Sequence, residues 1–367
     1  MKRLVIAPDS FKGTLSSFRV CDIISAVVKR NYPDAEITAI PVADGGEGTA
    51  ESLQYALGGE RIYCTVKSPL GRDINAYYLL LPDKTAVIEA ALASGITLEK
   101  KNDALLASSY GTGQLIKAAL DGGAKRLFVA IGGSAMTDGG TGCLAALGAK
   151  FYGADGVELY ACGKNLRLIE RADFTSLDKR LAESEIIVLC DVKNPLYGKD
   201  GAAYIFAPQK GADEKEVKLL DKGLKKFADI AEAFLGKDYS SYEGAGAAGG
   251  LGFALVAFMG ATLKSGISTV LELCDFSEKA EKADLVITGE GRLDSQSLMG
   301  KVPFGVASRC KGKRIVAVVG VNEATYDECA SMGIGEVIET NYQHLPFEEI
   351  KDRVEEMLYA AAEKIKL

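Results

Sequence analysis

Gly-rich turns that carry aspartate follow several short apolar runs of this sequence, and residues of this kind can bind phosphate. The strongest example is Ile131–Gly140, IGGSAMTDGG, which follows the apolar run at 126–130. Glycines let backbone N–H groups curl around an anion, and the start of a following helix stabilises that anion further. The sequence predicts such a helix near Thr141, with Asp138 beside the phosphate. For this decapeptide alone, a turn required only for packing is the alternative.

A second turn, GEGRLD at Gly289–Asp294 followed by Lys301, combines carboxylates with two cations. Arg292 could hold a carboxylate through two parallel hydrogen bonds, and Lys301 could bind a phosphate. A surface loop of salt bridges is the alternative. DSFK at Asp9–Lys12 and DGGE at Asp44–Glu47 follow apolar runs in the same way, although each also fits ordinary helix capping. The number of these turns, rather than any one of them, indicates a functional site.

The elements that must position these turns alternate along the chain. Short β-branched runs that stop at an acid or a glycine are typical of buried parallel strands. Such runs occupy residues 4–9, 36–44, 126–134, 186–191, 284–291 and 315–320. Helical patterns lie between them, so the sequence predicts an α/β fold with mainly parallel sheet.

The carboxyl ends of parallel strands form the edge where ligands bind in such sheets. The residues expected there are Asp9, Asp44, Gly132–Ser134, Asp191 and Glu290. Acids crowded into one cleft repel each other unless cations neutralise them, and the same turns supply Lys12, Lys193, Arg292 and Lys301. Carboxylate oxygens are also the hard ligands that Mg²⁺ prefers. Acids, cations and glycines together indicate phosphate chemistry.

The length of 367 residues exceeds what one hydrophobic core usually supports, so we expect two domains. Residues 68–98 predict two antiparallel strands joined by a turn at Leu81–Lys84, and residues 151–159 predict a tight hairpin. Both are expected to add to a second sheet. The predicted organisation is a Rossmann-like parallel-sheet domain of residues 1–65 and 270–367, an inserted mixed-sheet domain of residues 66–269, and an active site in the cleft between them.

The composition excludes several classes of partner. The net charge is -7, whereas nucleic acids and anionic membranes require a basic protein face. No stretch approaches the roughly 18 apolar residues of a membrane span, and the first residues are too poor in apolar side chains for a signal peptide. The eight cysteines are expected to be reduced. We therefore expect a cytoplasmic protein with a small-molecule substrate and no nucleic-acid or membrane partner, and a homodimer is compatible with the sequence.

Several familiar catalytic motifs are absent. The segment that ends at Lys301 has Ser295 where a P-loop requires its first glycine, and Val302 where it requires Ser or Thr. The only histidine, His344, lies far from every Gly-rich turn, which argues against a Ser-His-Asp triad and a His-rich zinc site. Residues 244–249 match G-x-G-x-x-G, but the preceding segment is polar rather than a buried strand. A buried helix after these glycines is the simpler interpretation.

Eight blocks of the sequence, in order and over essentially its whole length, resemble the signature blocks of the bacterial glycerate kinases. They are APDSFKGTLS (7–16), ADGGEGT (43–49), SYGTGQLI (109–116), IGGSAMTDGG (131–140), CDVKNPL (190–196), APQKGA (207–212), GAGAAGGLGFAL (244–255) and ITGEGRLDSQSLMGK (287–301). The sequence departs from the family pattern at Met136, Thr137, Lys193 and residues 197–199.

The resemblance implies transfer of the ATP γ-phosphoryl group to D-glycerate with Mg²⁺, usually at the 2-hydroxyl, in a protein of two α/β domains. Read with that reaction, the residues that would bind the phosphates of ATP are Gly132, Gly133, Ser134, Gly139, Gly140 and Lys301. Asp191 and Asp138 would serve as Mg²⁺ ligand or catalytic base, in an order that the sequence leaves open. Lys12 and Arg292 would bind the glycerate carboxylate, with Lys12 also counted among the catalytic residues, and Ser10, Asp44, Glu290 and Asp294 would orient the substrate.

Two other classes of function stay open at this point. A kinase or an NAD-linked oxidoreductase for another small hydroxy acid would use a similar cleft. A sugar-acid sensor without catalysis would bind the ligand but never consume ATP. Acids at several strand ends, accompanied by basic residues, exceed what a sensor requires.

Overall fold

The computed structural model describes residues 2–295, 297 and 301–367. Part of the ITGEGRLDSQSLMGK block, Gln296 and residues 298–300, therefore lies outside the described residues. No helix within the described ranges is both long enough and apolar enough to cross a membrane.

The chain forms two compact units. The first runs up to Asp44 and also contains Glu51–Gly58 and Ile267–Leu367. The second contains Gly45–Ala50 and Gly59–Gly266. The insertion was predicted to begin at residue 66, whereas the continuous part of the second unit begins at Gly59, because the strand that follows pairs with the sheet of that unit.

Strands and helices follow the periods of the apolar residues. The strands of the described residues are β1 (Arg3–Pro8), β2 (Glu36–Ala39), β3 (Glu60–Lys67), β4 (Asp73–Leu80), β5 (Ala86–Glu89), β6 (Arg126–Ala130), β7 (Lys150–Tyr152), β8 (Arg171–Asp173), β9 (Glu185–Leu189), β10 (Thr262–Lys264), β11 (Leu285–Leu293), β12 (Arg314–Asn322) and β13 (Glu336–Glu339). The α-helices in the same ranges are α1 (Ser17–Asn31), α2 (Thr49–Leu57), α3 (Ala91–Ser94), α4 (Tyr110–Asp121), α5 (Thr141–Ala146), α6 (Ala202–Phe206), α7 (Glu214–Leu235), α8 (Leu251–Met259), α9 (Gly266–Leu273), α10 (Phe276–Glu281), α11 (Val302–Ser308), α12 (Tyr326–Met332), α13 (Phe347–Ile350) and α14 (Val354–Ala362).

The first unit is built on a parallel sheet. Among the described residues, its strand order is β13-β12-β11-β1-β2, and every neighbouring pair is parallel. β1 from the start of the chain lies beside β11 from its last third, with Pro8 opposite Gly289. This arrangement confirms the predicted parallel sheet made from both ends of the chain. It also brings the residues that follow β1 to the same edge as the end of β11.

Helix α1 shows how the sequence builds the layer that covers this sheet. The hydroxyl of Ser16 accepts a hydrogen bond from the backbone N–H of Arg19 at 3.2 Å and caps the helix. The apolar side chains of α1 recur on one face and are buried in the core with those of β1 and β11. On the exposed side, the guanidinium of Arg19 donates two hydrogen bonds, of 2.7 and 2.8 Å, to Glu355 of α14.

The second unit contains a mixed sheet. Within the described ranges its strand order is β10-β9-β6-β5-β4-β3. β3 with β4 and β4 with β5 are antiparallel, and the other neighbours are parallel. The predicted antiparallel strands around the turn Leu81–Lys84 are therefore confirmed as β4 and β5.

The tight hairpin predicted at residues 151–159 is present, with backbone hydrogen bonds from Gly153 to Val157 and from Leu159 to Phe151, but its predicted addition to that sheet is wrong. Tyr152 and Glu158 do form an isolated bridge, but β7 pairs with β8 in a separate two-stranded sheet. The reason is the side chain of Phe151, which is buried against Phe174 and Phe227. β7 therefore lies over α7 rather than at the edge of the six-stranded sheet.

Candidate active site

A cavity of about 350 Å³ lies at the carboxyl ends of β1, β11 and β12 in the first unit. Its polar lining consists of Asp9, Ser10, Lys12, Thr14, Glu290, Arg292, Lys301, Thr340 and Asn341. Its apolar lining includes Phe11, Leu345, Phe347, Ile350, Val354 and Met357. Parallel strands direct the residues that follow them toward this edge, where ligands bind in open α/β sheets. Ser10, Lys12, Glu290, Arg292 and Lys301 are predicted site residues, and the structure brings them together here.

Asp9 is the buried acid of this cavity. Its backbone N–H donates to the carbonyl of Gly289 at 2.8 Å, and its Oδ1 accepts from the N–H of Ser10 at 2.7 Å. The side chain is only 4% exposed. Burial and the neighbouring carboxylate of Asp44 raise the pKa of Asp9 to about 7, against the opposing charge of Lys12. A carboxyl group that titrates near neutrality can accept a proton at working pH.

Lys12 and Asp44 form an ion pair beside Asp9. The Nζ of Lys12 lies 3.2 Å from Oδ2 of Asp44. Partial burial of the ammonium lowers the pKa of Lys12, but the carboxylates of Asp44 and Asp9 outweigh this effect and raise it. Lys12 therefore stays charged and can bind an anion. Asp44, a predicted substrate residue, does not line the cavity itself but holds Lys12 at its edge.

Glu290 and Asp294 are joined through Ser297 and Lys301. The hydroxyl of Ser297 donates to Oε1 of Glu290 at 2.5 Å, and its backbone N–H donates to Oδ1 of Asp294 at 3.2 Å. The Nζ of Lys301 lies 4.0 Å from Glu290 and 3.4 Å from Asp294. Burial of Glu290, which is 5% exposed, raises its pKa to about 7. The two acids thus orient the ammonium of Lys301 at the cavity wall.

Arg292 extends into solvent from the end of β11. Its guanidinium is 64% exposed, and its Nη1 lies 3.6 Å from a carboxylate oxygen of Glu323. An exposed ion pair of this length contributes little stability, so a ligand carboxylate can replace Glu323 at low cost. The planar fork of Arg292 fits such a carboxylate with two hydrogen bonds.

The decapeptide Ile131–Gly140 lies in the second unit. The open part of its first half is Gly132 and Gly133, while Ile131, Ser134 and Ala135 are buried. The N–H of Gly132 donates to the carbonyl of Gly45 at 3.1 Å. Gly133 is exposed and has a φ of 71°, a left-handed conformation that favours glycine. The backbone N–H groups of Gly133 and Ser134 have no acceptor among the residues that the structure describes. Two N–H donors and one hydroxyl at a strand end can bind a phosphate oxygen.

The second half of the decapeptide is closed. Asp138 is fully buried, and its carboxylate accepts from the N–H and hydroxyl of Ser109 at 2.7 and 2.8 Å. It also accepts from the N–H groups of Gly140 and Gly142 at 3.0 and 3.2 Å. Burial raises the pKa of Asp138, and these hydrogen bonds oppose the rise. The geometry favours a structural role for Asp138, and its predicted roles as base and Mg²⁺ ligand stay predictions.

Gly139 and Gly140 are also buried. The N–H of Gly139 donates to the carbonyl of Gly249 at 2.9 Å, and a Cβ at Gly140 would lie 2.4 Å from that of Ala254. Close packing explains both glycines, so their predicted phosphate contacts stay predictions. Met136 and Thr137, where the sequence departs from the family pattern, are fully buried as well. That departure therefore alters the packing beneath the turn rather than its open face.

Asp191 is the remaining predicted metal ligand. It is exposed and follows β9, whose Leu189 pairs with Ala130 of β6. Asp191 and Gly132 therefore stand at equivalent positions after neighbouring parallel strands. No group of three or more His, Cys, Asp and Glu side chains in the described ranges is arranged to hold a metal ion. Mg²⁺ often uses only one or two carboxylates together with waters and substrate phosphates, and the exposed carboxylate of Asp191 fits that use.

Three buried charged residues near these turns were not assigned a role from sequence. Asp9 was expected at the ligand-binding edge because it follows a buried strand, but it was given no role there. Glu89 accepts from the N–H groups of Gly48 and Ala50 at 3.0 and 3.1 Å and holds that segment in the second unit. Lys210 donates hydrogen bonds to the Ser134 hydroxyl and the Met136 carbonyl of the turn at 132–140. Lys210 lies in the APQKGA block, but neither its burial nor that of Glu89 follows from the sequence, because their partners are distant along the chain.

Comparison with known proteins gives one consistent result. The model of the glycerate kinase family matches residues 4–367. The chain is 44% identical to the glycerate kinase of Haemophilus influenzae, over 99% of this chain and 97% of that protein. It is 46% identical to the glycerate 2-kinase of Escherichia coli, over 87% and 84% of the two chains.

A solved structure agrees with the sequence comparison. The crystal structure of a Salmonella typhimurium LT2 protein designated glycerate kinase 2 superposes with a TM-score of 0.83 at 40% identity, over 99% of this chain and 96% of that one. The superposition covers both α/β units. The family model likewise spans all but the first three residues of the chain. The chain belongs to the glycerate kinase family and is a phosphotransferase.

Proposed function

We propose that this protein transfers the γ-phosphoryl group of ATP to D-glycerate in the presence of Mg²⁺ and forms 2-phosphoglycerate. The observation that carries the proposal is the cavity of the first unit, where the buried carboxyl of Asp9 lies beside Lys12, Arg292 and Lys301. Glycerate has a carboxylate that requires cations and a neighbouring hydroxyl whose proton requires a base. A relative at 46% identity is a glycerate 2-kinase, which supports the 2-position.

The geometry of that cavity supports the following acceptor roles. Arg292 and Lys12 bind the carboxylate of glycerate, which aligns the adjacent hydroxyl with Asp9. Asp9 accepts the hydroxyl proton as the oxygen attacks phosphorus. Ser10, whose N–H holds Asp9, positions this base. Glu290 and Asp294 direct Lys301 toward the charge that develops on the transferred group.

The donor roles fall on the first half of the Gly-rich turn. The N–H groups of Gly133 and Ser134, with the Ser134 hydroxyl, bind phosphate oxygens, and Gly132 holds the turn in place through Gly45. Asp191 supplies a carboxylate for Mg²⁺, which neutralises phosphate charge when it is bound. Phosphoryl transfer requires positioning and charge neutralisation more than covalent help from the protein. The residues described here supply both.

The direct test is an ADP-release assay with ATP and Mg²⁺ across D-glycerate, glycolate, lactate and simple sugars. We expect turnover with D-glycerate and at least tenfold lower kcat/KM for the others, because glycolate lacks the hydroxymethyl group and lactate lacks the hydroxyl of that group. Formation of a reduced nicotinamide cofactor without ADP release would instead support the oxidoreductase. Binding of glycerate without any turnover would support the sensor.

Replacing Arg292 by methionine is expected to raise the KM for glycerate about tenfold to a hundredfold, because hydrogen bonds to a charged group contribute roughly 1.5–3 kcal/mol. The KM for ATP should change little. The matched control is Arg314→Met, because Arg314 is another exposed, ion-paired arginine but lies at the amino end of β12, away from the cavity. Steady-state kinetics with both substrates varied makes the comparison. An unchanged KM for glycerate in Arg292→Met would remove Arg292 from the site.

A further inference from the structure

Lys210 is a buried cation whose Nζ contacts the Gly-rich turn at Ser134 and Met136. Its side chain is 2% exposed and sits at the end of a 3-10 turn at Pro208–Lys210. The Nζ donates to the carbonyl of Met136 at 2.6 Å and to the hydroxyl oxygen of Ser134 at 3.2 Å. Both of these partners are uncharged, and both belong to the turn.

This placement is costly for the folded protein. Burial of an ammonium is unfavourable unless a carboxylate compensates it closely. Here burial lowers the pKa of Lys210 to about 7, and the more distant carboxylate of Asp138 opposes the shift only in part. Perturbed cations of this kind are concentrated at functional sites. An apolar side chain would fill the space under the turn without this cost.

The hydrogen bond between Lys210 and Ser134 restricts the direction of the Ser134 hydroxyl proton. A serine hydroxyl has one proton to donate and two lone pairs that accept. Nζ of Lys210 donates in the contact at 3.2 Å, so the Ser134 hydroxyl oxygen is the acceptor there. The single proton of the Ser134 hydroxyl must then point away from Lys210.

We propose that Lys210 is a positioning residue, which holds the Ser134 hydroxyl so that its proton is donated to a phosphate oxygen of the nucleotide. The adjacent N–H groups of Gly133 and Ser134 would donate to the same phosphate. This inference rests on the proposed function of the turn. Lys210 itself makes no contact with the ligand and acts through Ser134.

A double-mutant cycle in Lys210→Met and Ser134→Ala tests this dependence, because contacting residues that act through one another give non-additive effects. Each single variant is expected to raise the KM for ATP about tenfold, which corresponds to the loss of one hydrogen bond to a charged group. The double variant should be no worse than Ser134→Ala. The KM for glycerate should stay unchanged, and so should all constants of the control Lys222→Met, an exposed lysine on α7.

Two results would overturn the inference: an unchanged KM for ATP in Lys210→Met, or a double variant about a hundredfold impaired, as two independent losses would give. If Lys210→Met does not fold, Lys210→Gln takes its place in the cycle, because its amide keeps a donor for the Met136 carbonyl. If the wild type shows no turnover, the proposed function fails, and the same cycle is measured by calorimetry with tripolyphosphate. A loss of affinity in Lys210→Met that disappears in the S134A background would then still support the inference, and its persistence would contradict it.

Discussion

Replacing Asp9 by asparagine is expected to lower kcat by about 10²–10⁴-fold, the usual contribution of a general base. The amide keeps the size of the side chain and can still accept from the N–H of Ser10, so the cavity should keep its shape. It cannot accept the proton of the substrate hydroxyl. The KM for glycerate should change by a smaller factor than kcat, because Arg292 and Lys12 still bind the carboxylate of glycerate.

The pH profile makes this prediction specific to Asp9. The pKa of Asp9 is raised to about 7, and a base acts in its deprotonated form. The kcat/KM of the wild type should therefore rise with pH through about 7 and level off above it. Glu290 also titrates near 7, so Glu290→Gln is a necessary comparison. We expect the rising limb to survive in Glu290→Gln and to vanish in Asp9→Asn.

A control for Asp9→Asn is available on the same sheet. Asp284 lies at the amino end, where it accepts a hydrogen bond from the N–H of Arg3 at 2.8 Å. Asp284→Asn should leave kcat unchanged. If Asp9→Asn kept its kcat within tenfold of the wild type, or kept the rising limb, another group would have to be the base.

Replacing Asp138 by asparagine is expected to lower the free energy of unfolding by about 3 kcal/mol or more, because the change removes a buried charge that four donors stabilise. The amide nitrogen would also face an N–H group of Ser109, Gly140 or Gly142. Urea unfolding followed by circular dichroism measures the loss, since the chain has no tryptophan. The control Asp229→Asn, at an exposed pair with Lys225, should cost under about 1 kcal/mol.

This second experiment also decides between two roles of Asp138. The structural role predicts a loss of stability, with near-normal kcat in whatever fraction stays folded. The predicted role as base or Mg²⁺ ligand requires the reverse: a kcat lowered at least a hundredfold in a variant as stable as the wild type. A stable and inactive Asp138→Asn would therefore refute the structural role.

Much of the fold could be predicted because each strand is a short apolar run that ends at a polar turn. β1, β6, β9, β11 and β12 all follow this rule, and the shared edge of parallel strands follows from topology alone. The polar residues of the cavity that follow β1 and β11 could therefore be predicted from sequence, whereas its lining from residues 340–357 was not predicted. The pairing of β7 with β8 was not, because it depends on where the ring of Phe151 is buried.

The sequence could not predict which residues of the site face the ligand and which are buried, because that depends on the direction of each side chain. IGGSAMTDGG reads as one phosphate-binding motif, yet Gly133 is exposed while Asp138 is enclosed. The donors that enclose Asp138 include Ser109, which is remote in sequence. Lys210 is equally hidden, since lysine in a sequence normally indicates surface. Composition and spacing identify the residues of a turn, but tertiary packing determines which of its faces meets the ligand.

In the proposed complex, D-glycerate binds at the strand-end cavity of the first unit with its 2-hydroxyl against Asp9. A crystal structure of the protein grown with D-glycerate tests this most directly. We expect the glycerate carboxylate on Arg292 and Lys12, and its 2-hydroxyl within about 2.6–3.2 Å of a carboxylate oxygen of Asp9. Glycerate bound away from this cavity, or bound in it with the 2-hydroxyl out of reach of Asp9, would contradict the proposed role of Asp9.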